Sequence, residues 1–427
     1  MGETRKLISS SFIVFAGTIV GSVFSYLFNM LMGRYLGPRE YGEMTALMSL
    51  LMIISVAGGA ILTITMRYSS ELYTTQRSWA LKKLLRVLTK YVYFISFAIL
   101  LICLALSKPI ADYFSIGSLV PVFIAFASLI FGLVMSVNKG FLQGAQRFTA
   151  VSAIGVLEMA FRLTLGIILV KVGFQVSGAL AAVVLATAIS YFITFWPIER
   201  VFANFKQDKT AKNYSFDKRE ILGYSWPAFL ASVLLVIAIN LDIILVKHYF
   251  SPQDAGIYAA ISTIAKIILY VTAPVVTVMF PMVSERTTKG NKHYSIFLFS
   301  LLFVLVGALL VLGLYVIAPA KIITILYGAQ YVSFFYLLPE IGMAILLYSL
   351  INLLVNYYLV IKNFTFIWFF IASELLQIIA ISIWHPSIVV VVRIIIVTFA
   401  LLFGIMFGYY LVSKKSQISA FIRGEEF

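Results

Sequence analysis

Long apolar runs separated by short polar turns constrain this chain more than any other feature. The first two runs cover residues 10–32 and 44–66, and each is long enough to cross a bilayer as a helix, which takes about 20 apolar residues. The composition agrees, since 62% of the residues are hydrophobic and only 11% are charged. The runs are too long for the alternating strands of a membrane β-barrel. We therefore predict an all-α polytopic membrane protein.

The apolar runs predict about twelve transmembrane helices. These are placed at 8–32, 44–66, 87–107, 117–138, 149–170, 176–198, 222–248, 257–280, 295–318, 336–361, 364–384 and 386–412. They divide into an N-terminal six-helix lobe over 1–198 and a C-terminal six-helix lobe over 222–427. A basic linker at 199–221 joins the lobes, and we predict that it is cytoplasmic.

The turn after the first helix returns later in the chain. The sequence GRYLGPREYG at 33–42 corresponds to a second turn, YFSPQDAG at 249–256, with Pro38 matching Pro252, 214 positions further on. The same offset pairs the Ser-Glu dipeptide at 70–71 with the one at 284–285. Because each half has an even number of helices, the halves share one orientation. The chain is thus predicted to contain a parallel internal repeat.

The net charge of +15 is distributed according to membrane topology. With the N-terminus inside, 23 of the 32 Lys and Arg residues fall on the inner side, 6 on the outer side and 3 within helices. This bias predicts a plasma or inner membrane protein with both termini in the cytoplasm. It also argues against nucleic acid as a partner, and favours membrane lipids.

The sequence contains no pattern typical of a soluble enzyme. A Walker A loop is missing, and the three histidines, His248, His293 and His385, are scattered. The loops are too short for a separate catalytic domain. We therefore expect no enzymatic activity, no metal site and no cofactor other than a coupling ion, Na⁺ or H⁺.

Charged residues inside membrane helices are the candidate functional residues, because each costs roughly 3 kcal/mol at the bilayer centre. Glu158 and Arg162 lie four apart on the fifth helix and so share a face. They could form a self-neutralising pair that lets the helix insert. They could instead face a polar translocation cavity.

The second half carries more such residues. Asp242 lies on the seventh helix two residues after Asn240, Glu374 lies on the eleventh, and Arg393 and Thr398 lie on the twelfth. A carboxylate with neighbouring amide oxygens suits Na⁺ or H⁺, so this set could be an ion-coupling site. A structural ion-pair network is the alternative interpretation.

Lys266 lies on the eighth helix, about 14 Å from its outer end at 1.5 Å per residue, and so close to the midplane. An ammonium group there could hold a phosphate, or it could pair with Asp242 or Glu374. Its counterpart in the first half is Met52, so the charge does not belong to the repeat. Pro274 on the same helix is expected to kink it.

The turn at 33–42 and the Ser-Glu pair at 70–71 resemble the O-antigen flippase group of polysaccharide-biosynthesis transporters. That group belongs to the multidrug/oligosaccharidyl-lipid/polysaccharide exporter superfamily. The resemblance implies two six-helix lobes around a cavity that opens alternately to each side. It also implies the flipping of an undecaprenyl-diphosphate-linked oligosaccharide from the inner to the outer leaflet, with membrane lipids and polysaccharide polymerase machinery as partners.

Within that scheme Lys266, Arg162, Arg393 and Glu158 would contact the substrate. Relatives that flip the peptidoglycan precursor can bind Na⁺ between helices 7, 11 and 12, and Asp242, Glu374 and Thr398 lie on the matching helices. Those relatives usually have about fourteen helices and arginines in helix 1, which this chain lacks. The alternative functions are a cation-coupled multidrug exporter of the same superfamily and a membrane glycosyltransferase or polymerase.

Overall fold

The structure, a computed structural model, describes residues 2–75, 77–203, 218–288 and 294–413. Within these ranges the chain is helical and contains no β-strand. It forms two compact units, Met1–Ser225 and Trp226–Phe427. Most of the predicted basic linker, residues 204–217, lies outside the described residues.

The first unit contains seven α-helices in the part of the chain that is described. They are α1 (Gly2–Thr74), α2 (Ser78–Ala105), α3 (Ser107–Tyr113), α4 (Val120–Gly144), α5 (Phe148–Leu169), α6 (Gln175–Ile193) and α7 (Phe195–Ala203). A single π-helical turn, Val170–Phe174, connects α5 to α6.

The second unit contains eight α-helices over its described ranges. They are α8 (Lys218–Tyr249), α9 (Pro252–Ala265), α10 (Ile267–Thr288), α11 (Tyr294–Ile317), α12 (Pro319–Leu326), α13 (Leu337–Val360), α14 (Phe366–Ile383) and α15 (Ile388–Ser413). A short 3₁₀ helix, Ala329–Phe334, follows α12.

Ten helical segments of the described chain are long and apolar enough to cross a membrane. Two of them, Ala16–Thr74 and Phe148–Ala203, contain 59 and 56 residues, so each has the length of two crossings. That gives six crossings in each unit. The predicted all-α membrane fold with about twelve spans is confirmed.

The first turn of the repeat has the same plan in both units. In α1 the helical geometry breaks at Gly37, whose φ of 75° and ψ of 172° favour a residue without a side chain. Pro38 follows as the first residue of the next span. In the second unit Ser251 takes the place of Gly37 and Pro252 begins α9. Ser251 Oγ accepts a hydrogen bond of 3.1 Å from the Asp254 amide, which caps the helix.

The core of the first unit is organised around α4, which packs against α1, α2 and α6. Gly140 and Gly144 lie one turn apart on α4, against α1. A Cβ atom at Gly140 would lie 2.5 Å from the Leu62 carbonyl oxygen, and one at Gly144 would lie 2.6 Å from the Met66 carbonyl oxygen. The two glycines therefore allow the helix backbones to approach closely, as small residues spaced by four do in membrane proteins.

The core of the second unit is organised around α13, which packs against α9, α10, α11 and α15. Its most apolar window is 72% buried, a larger share than in any other span of the described residues. A helix buried on nearly all sides fixes the positions of its neighbours. It therefore sets where the polar residues of α8, α9 and α15 can meet.

Candidate functional site

Asp242 is the centre of a buried polar cluster in the second unit. It lies on α8, and its Oδ2 atom accepts hydrogen bonds from the Tyr258 hydroxyl at 2.8 Å and from the Ser262 hydroxyl at 2.9 Å. Both donors lie on α9. The other oxygen, Oδ1, is buried and has no hydrogen-bond partner among the described residues.

A narrow cleft reaches this carboxylate. Helices α8, α9, α13 and α15 form its walls, and only Asp242 and Tyr258 are polar among its lining residues. The remaining wall consists of Ala238, Ile239, Ile341, Ala344, Ile345, Val392, Ile395 and Phe399. The half-satisfied carboxylate therefore lies beside a cavity of about 10 Å³, in an otherwise apolar environment.

Lys266 lies between α9 and α10, where the helix is interrupted. Its φ of −64° and ψ of −6° end α9 at Ala265, so the helix is interrupted at Lys266. Pro274 lies inside α10, and the kink expected there stays a prediction. The sequence offered Asp242 on α8 as one partner for the Lys266 ammonium group. Within the described ranges the two do not approach within salt-bridge distance.

Glu374 and Gln377 form a second buried polar group on α14. Glu374 is only 4% exposed and Gln377 is fully buried. Neither carboxylate oxygen of Glu374 has a hydrogen-bond partner in the part of the chain that the structure covers. Thr398 on α15 donates a hydrogen bond of 3.0 Å to Gln377 Oε1. Thr398 is thus bonded to Gln377, which lies three residues after Glu374 on α14, while the Glu374 carboxylate itself has no partner among the described residues.

Asn240 does not join either group, although it is buried on α8. Its amide nitrogen donates to the Val236 carbonyl oxygen of the same helix at 2.8 Å. The spacing of two between Asn240 and Asp242 places them on different sides of a helix. The sequence suggested that Asn240 and Asp242 act together because they are close along the chain. Closeness along a helix does not by itself bring two side chains together.

Two residues of the Asp242 cluster, Tyr258 and Ser262, were not predicted. Their spacing carried a signal, because Tyr258, Ser262 and Lys266 follow one another at intervals of four and therefore share one face of the eighth membrane helix. A hydroxyl, a hydroxyl and an ammonium on one face of an apolar helix indicate that the face is turned toward a polar partner.

Glu158 in the first unit has a different partner from the one that its spacing suggested. Its Oε2 atom lies 2.9 Å from Lys139 Nζ on α4, and its Oε1 atom accepts a hydrogen bond of 3.2 Å from Thr187 on α6. The side chains of Lys139 and Glu158 are only 24% and 12% exposed. Glu158 therefore joins three helices, and the possible pair with Arg162 is not formed.

Arg162 instead contacts α1. Its guanidinium carbon lies 4.4 Å from the centre of the Phe28 ring, and Nη2 lies 3.9 Å from the Met48 sulfur. Stacking on an aromatic ring is a favourable environment for a guanidinium in an apolar setting. The positive charge is retained inside the helix bundle of the first unit.

Arg393 is far more exposed than we expected. Its Nη2 atom lies 3.6 Å from Glu340 Oε1, and the Arg393 side chain is 66% exposed. Both residues lie near the first turns of their helices, Glu340 on α13 and Arg393 on α15. An exposed side chain can line a water-filled cavity as well as the outer surface, so the substrate contact expected of Arg393 stays a prediction.

The arrangement of these helices matches a known fold. The structure has the fold of transporters of the MOP superfamily. It superposes with a TM-score of 0.75 on the inward-facing conformation of a multidrug resistance MATE family transporter, at 13% identity, covering 93% of this chain and 99% of that one. DinF-BH, a MATE multidrug transporter solved as a complex, gives a TM-score of 0.67 at 13% identity, with 96% of each chain covered.

A third similar structure is a MOP superfamily transporter from Pyrococcus furiosus, described as having a binding pocket of reversed polarity that suggests a different function. It gives a TM-score of 0.62 at 16% identity, covering 95% of this chain and 96% of that one. No curated protein sequence matches this chain. The polysaccharide biosynthesis protein family matches residues 31–336. The chain therefore belongs to that family.

Proposed function

We propose that this protein flips undecaprenyl-diphosphate-linked oligosaccharides from the inner to the outer leaflet by alternating access, driven by an ion gradient. One observation carries the proposal. A member of a polysaccharide biosynthesis family has the fold of a multi-pass transporter, with charged residues buried in its membrane helices. A lipid-linked saccharide is the intermediate of such biosynthesis that has to cross a membrane.

The diphosphate of such a substrate needs positive charge along its path. Lys266 supports this role because it lies at the interruption between α9 and α10 and forms no salt bridge with a described carboxylate. Arg162, stacked on Phe28, is the second candidate. Glu158 is already paired with Lys139, so we assign it a structural role. Arg393, with an exposed side chain, stays the third candidate.

The buried acids of the second unit support ion coupling. An ionised carboxylate with unsatisfied oxygens is unstable in an apolar interior, so Glu374, with neither oxygen bonded, and Asp242, with Oδ1 unbonded, would each be stabilised by taking up a proton or Na⁺. Tyr258, Ser262, Gln377 and Thr398 would supply neutral oxygen atoms. The ion would drive transport if its affinity for these groups differed between the inward and outward states.

The distribution of basic residues supports a location and an orientation in the cell. The 23-to-6 distribution of Lys and Arg supports a plasma or inner membrane location with both termini in the cytoplasm. Membrane lipids are expected to surround the protein. Polysaccharide polymerase machinery is the expected recipient of the flipped product.

The alternative is a cation-coupled multidrug exporter. Two of the similar solved structures are multidrug transporters, and the second unit buries two carboxylates, Asp242 and Glu374, which could attract an organic cation. In that case Asp242 and Glu374 would bind the drug itself.

A two-substrate experiment separates the alternatives. The purified full chain would be reconstituted into proteoliposomes and given a fluorescent undecaprenyl-diphosphate oligosaccharide, and in parallel a cationic dye, with imposed Na⁺ or H⁺ gradients. Protein-free liposomes provide the control. Gradient-dependent movement of the lipid-linked sugar without dye transport is expected. Transport of the dye with no movement of the lipid-linked sugar would replace the proposal with the drug exporter.

A further inference from the structure

Two exposed tryptophans of the first unit each have a basic side chain over the indole ring. In both cases the basic residue lies four positions after the tryptophan. Lys83 Nζ lies 5.0 Å from the centre of the Trp79 ring on α2. The guanidinium carbon of Arg200 lies 3.8 Å from the centre of the Trp196 ring on α7. The spacing of four places each cation over its own ring.

The two pairs belong to one surface. Lys82 Nζ lies 5.2 Å from the centre of the Phe202 ring, which brings the start of α2 against α7. We call Trp79, Lys82, Lys83, Trp196 and Arg200 the basic tryptophan surface.

The basic tryptophan surface is held in place by the core beneath it. Leu81 and Leu84 on α2 and Ile198 and Val201 on α7 are buried in the same hydrophobic cluster. These four residues leave the tryptophans on the outside, where Trp79 is 48% and Trp196 is 61% exposed. Exposed indole rings on a rigid base are unfavourable in water, so this face is expected to be covered.

The charge on this surface is strongly positive. Lys82, Lys83, Arg86 and Lys90 on α2 are all exposed, and α2 contains no acidic residue. Glu199, also exposed, is the one acid of α7. A partner for this surface must therefore be anionic.

The neighbouring apolar residues identify the kind of partner. α2 continues from these cations into Tyr91 and Phe94, which are 65% and 74% exposed, and Phe192 and Phe195 are exposed beside Trp196. A surface that changes from cations and indoles to exposed aromatic rings within a few turns matches the boundary between headgroups and acyl chains. An acidic protein or a nucleic acid would cover only the charged part.

We propose that the basic tryptophan surface binds the headgroups of anionic phospholipids. The cations would contact the lipid phosphate, and the indoles would lie at the level of the glycerol backbone. Each Lys or Arg near an anionic membrane surface is expected to strengthen binding about fivefold. The inference does not depend on which substrate the protein transports.

The test measures lipid binding to the purified full chain in a neutral detergent. Dioleoyl phosphatidylglycerol or dioleoyl phosphatidylcholine would be titrated and bound lipid counted by native mass spectrometry. Tighter binding of phosphatidylglycerol is expected, and the double variant Lys83→Gln/Arg200→Gln should weaken it about 25-fold. Lys171→Gln is the matched control. Lys171 Nζ also lies over an aromatic ring, 5.4 Å from the centre of Tyr35, but Lys171 belongs to the π-helical turn between α5 and α6 and not to the basic tryptophan surface. The Lys171→Gln change should alter phosphatidylglycerol binding less than about twofold.

Three results would overturn the proposal. The first is equal binding of the two lipids by the wild type, and the second is unchanged phosphatidylglycerol binding by the double variant. The third is displacement of the lipid by millimolar inorganic phosphate, which would make this a site for free phosphate. If the double variant unfolds, the charge-conserving variant Lys83→Arg/Arg200→Lys decides, because it should bind phosphatidylglycerol as the wild type does; loss of binding would contradict the proposal.

Discussion

Lys139 Nζ lies 2.9 Å from Glu158 Oε2, and this ion pair connects α4 to α5 within the first unit. The Thr187 hydroxyl adds a contact from α6 to the other carboxylate oxygen. One carboxylate thus accepts a contact from each of two neighbouring helices. Such a group is expected to stabilise the packing of these helices, because removing it leaves a largely buried ammonium group without its partner.

Glu158→Gln should therefore destabilise the protein by about 1–3 kcal/mol, the cost of leaving a buried polar group poorly satisfied. Thermal unfolding of the purified protein in detergent would measure the change. A double-mutant cycle with Lys139→Met tests the assignment, because the two changes should be strongly non-additive. The control is the same cycle with Arg162→Gln in place of Lys139→Met. If Glu158→Gln is non-additive with Arg162→Gln but additive with Lys139→Met, the ion pair between Lys139 and Glu158 is wrong.

Lys266→Met restores the residue that the repeat places at the corresponding position, Met52. We expect transport of the lipid-linked oligosaccharide to fall about tenfold or more, since a charge-assisted hydrogen bond to a phosphate contributes about 1.5–3 kcal/mol. Stability should not fall, because a costly charge leaves a membrane helix. Lys321→Met, an exposed lysine of α12 in the same unit, serves as the control. Normal transport by Lys266→Met would make Lys266 a structural residue.

Gly140→Ala should lower stability by about 1–3 kcal/mol, the usual cost of adding a methyl group to a well-packed contact. The added Cβ would lie 2.5 Å from the Leu62 carbonyl oxygen, so α1 and α4 would have to separate. Gly155→Ala on α5 is the matched control, because nothing lies within 4 Å of the Cβ position there. Thermal unfolding of both variants would check this, and equal midpoints would mean that the helices adjust without cost.

The sequence was sufficient for features that depend on local chemistry. The apolar runs determined the membrane spans, and Pro38 and Pro252 marked the same turn in each half because proline is favoured at the first position of a helix. The offset of the repeat also paired the Ser-Glu dipeptide at 70–71 with the one at 284–285. These features follow from the preferences of a few neighbouring residues.

The partners of the buried charges could not be predicted in the same way. The spacing of four suggested a pair between Glu158 and Arg162, but the packing of α4 against α5 supplied Lys139, which is 19 residues from Glu158. Arg393 lay within a predicted helix, and only the structure showed its contact with Glu340 near the helix ends. Contacts between helices depend on tertiary packing, which one sequence does not specify.

Glu374 is central to the proposed ion coupling, because its carboxylate is buried without a hydrogen-bond partner among the described residues. Glu374→Gln keeps the shape and removes the ionisable group. Glu340→Gln is the matched control, since Glu340 lies in the same unit but in a partly exposed ion pair. Both variants would be compared with the wild type for folding before transport is measured.

The most direct test is the initial rate of flipping of the lipid-linked oligosaccharide in proteoliposomes, measured with and without an imposed Na⁺ or H⁺ gradient. The account predicts that one of the gradients accelerates flipping by the wild type and by Glu340→Gln. It also predicts that Glu374→Gln flips at the same rate with and without that gradient. A response of Glu374→Gln equal to that of the wild type would contradict the account.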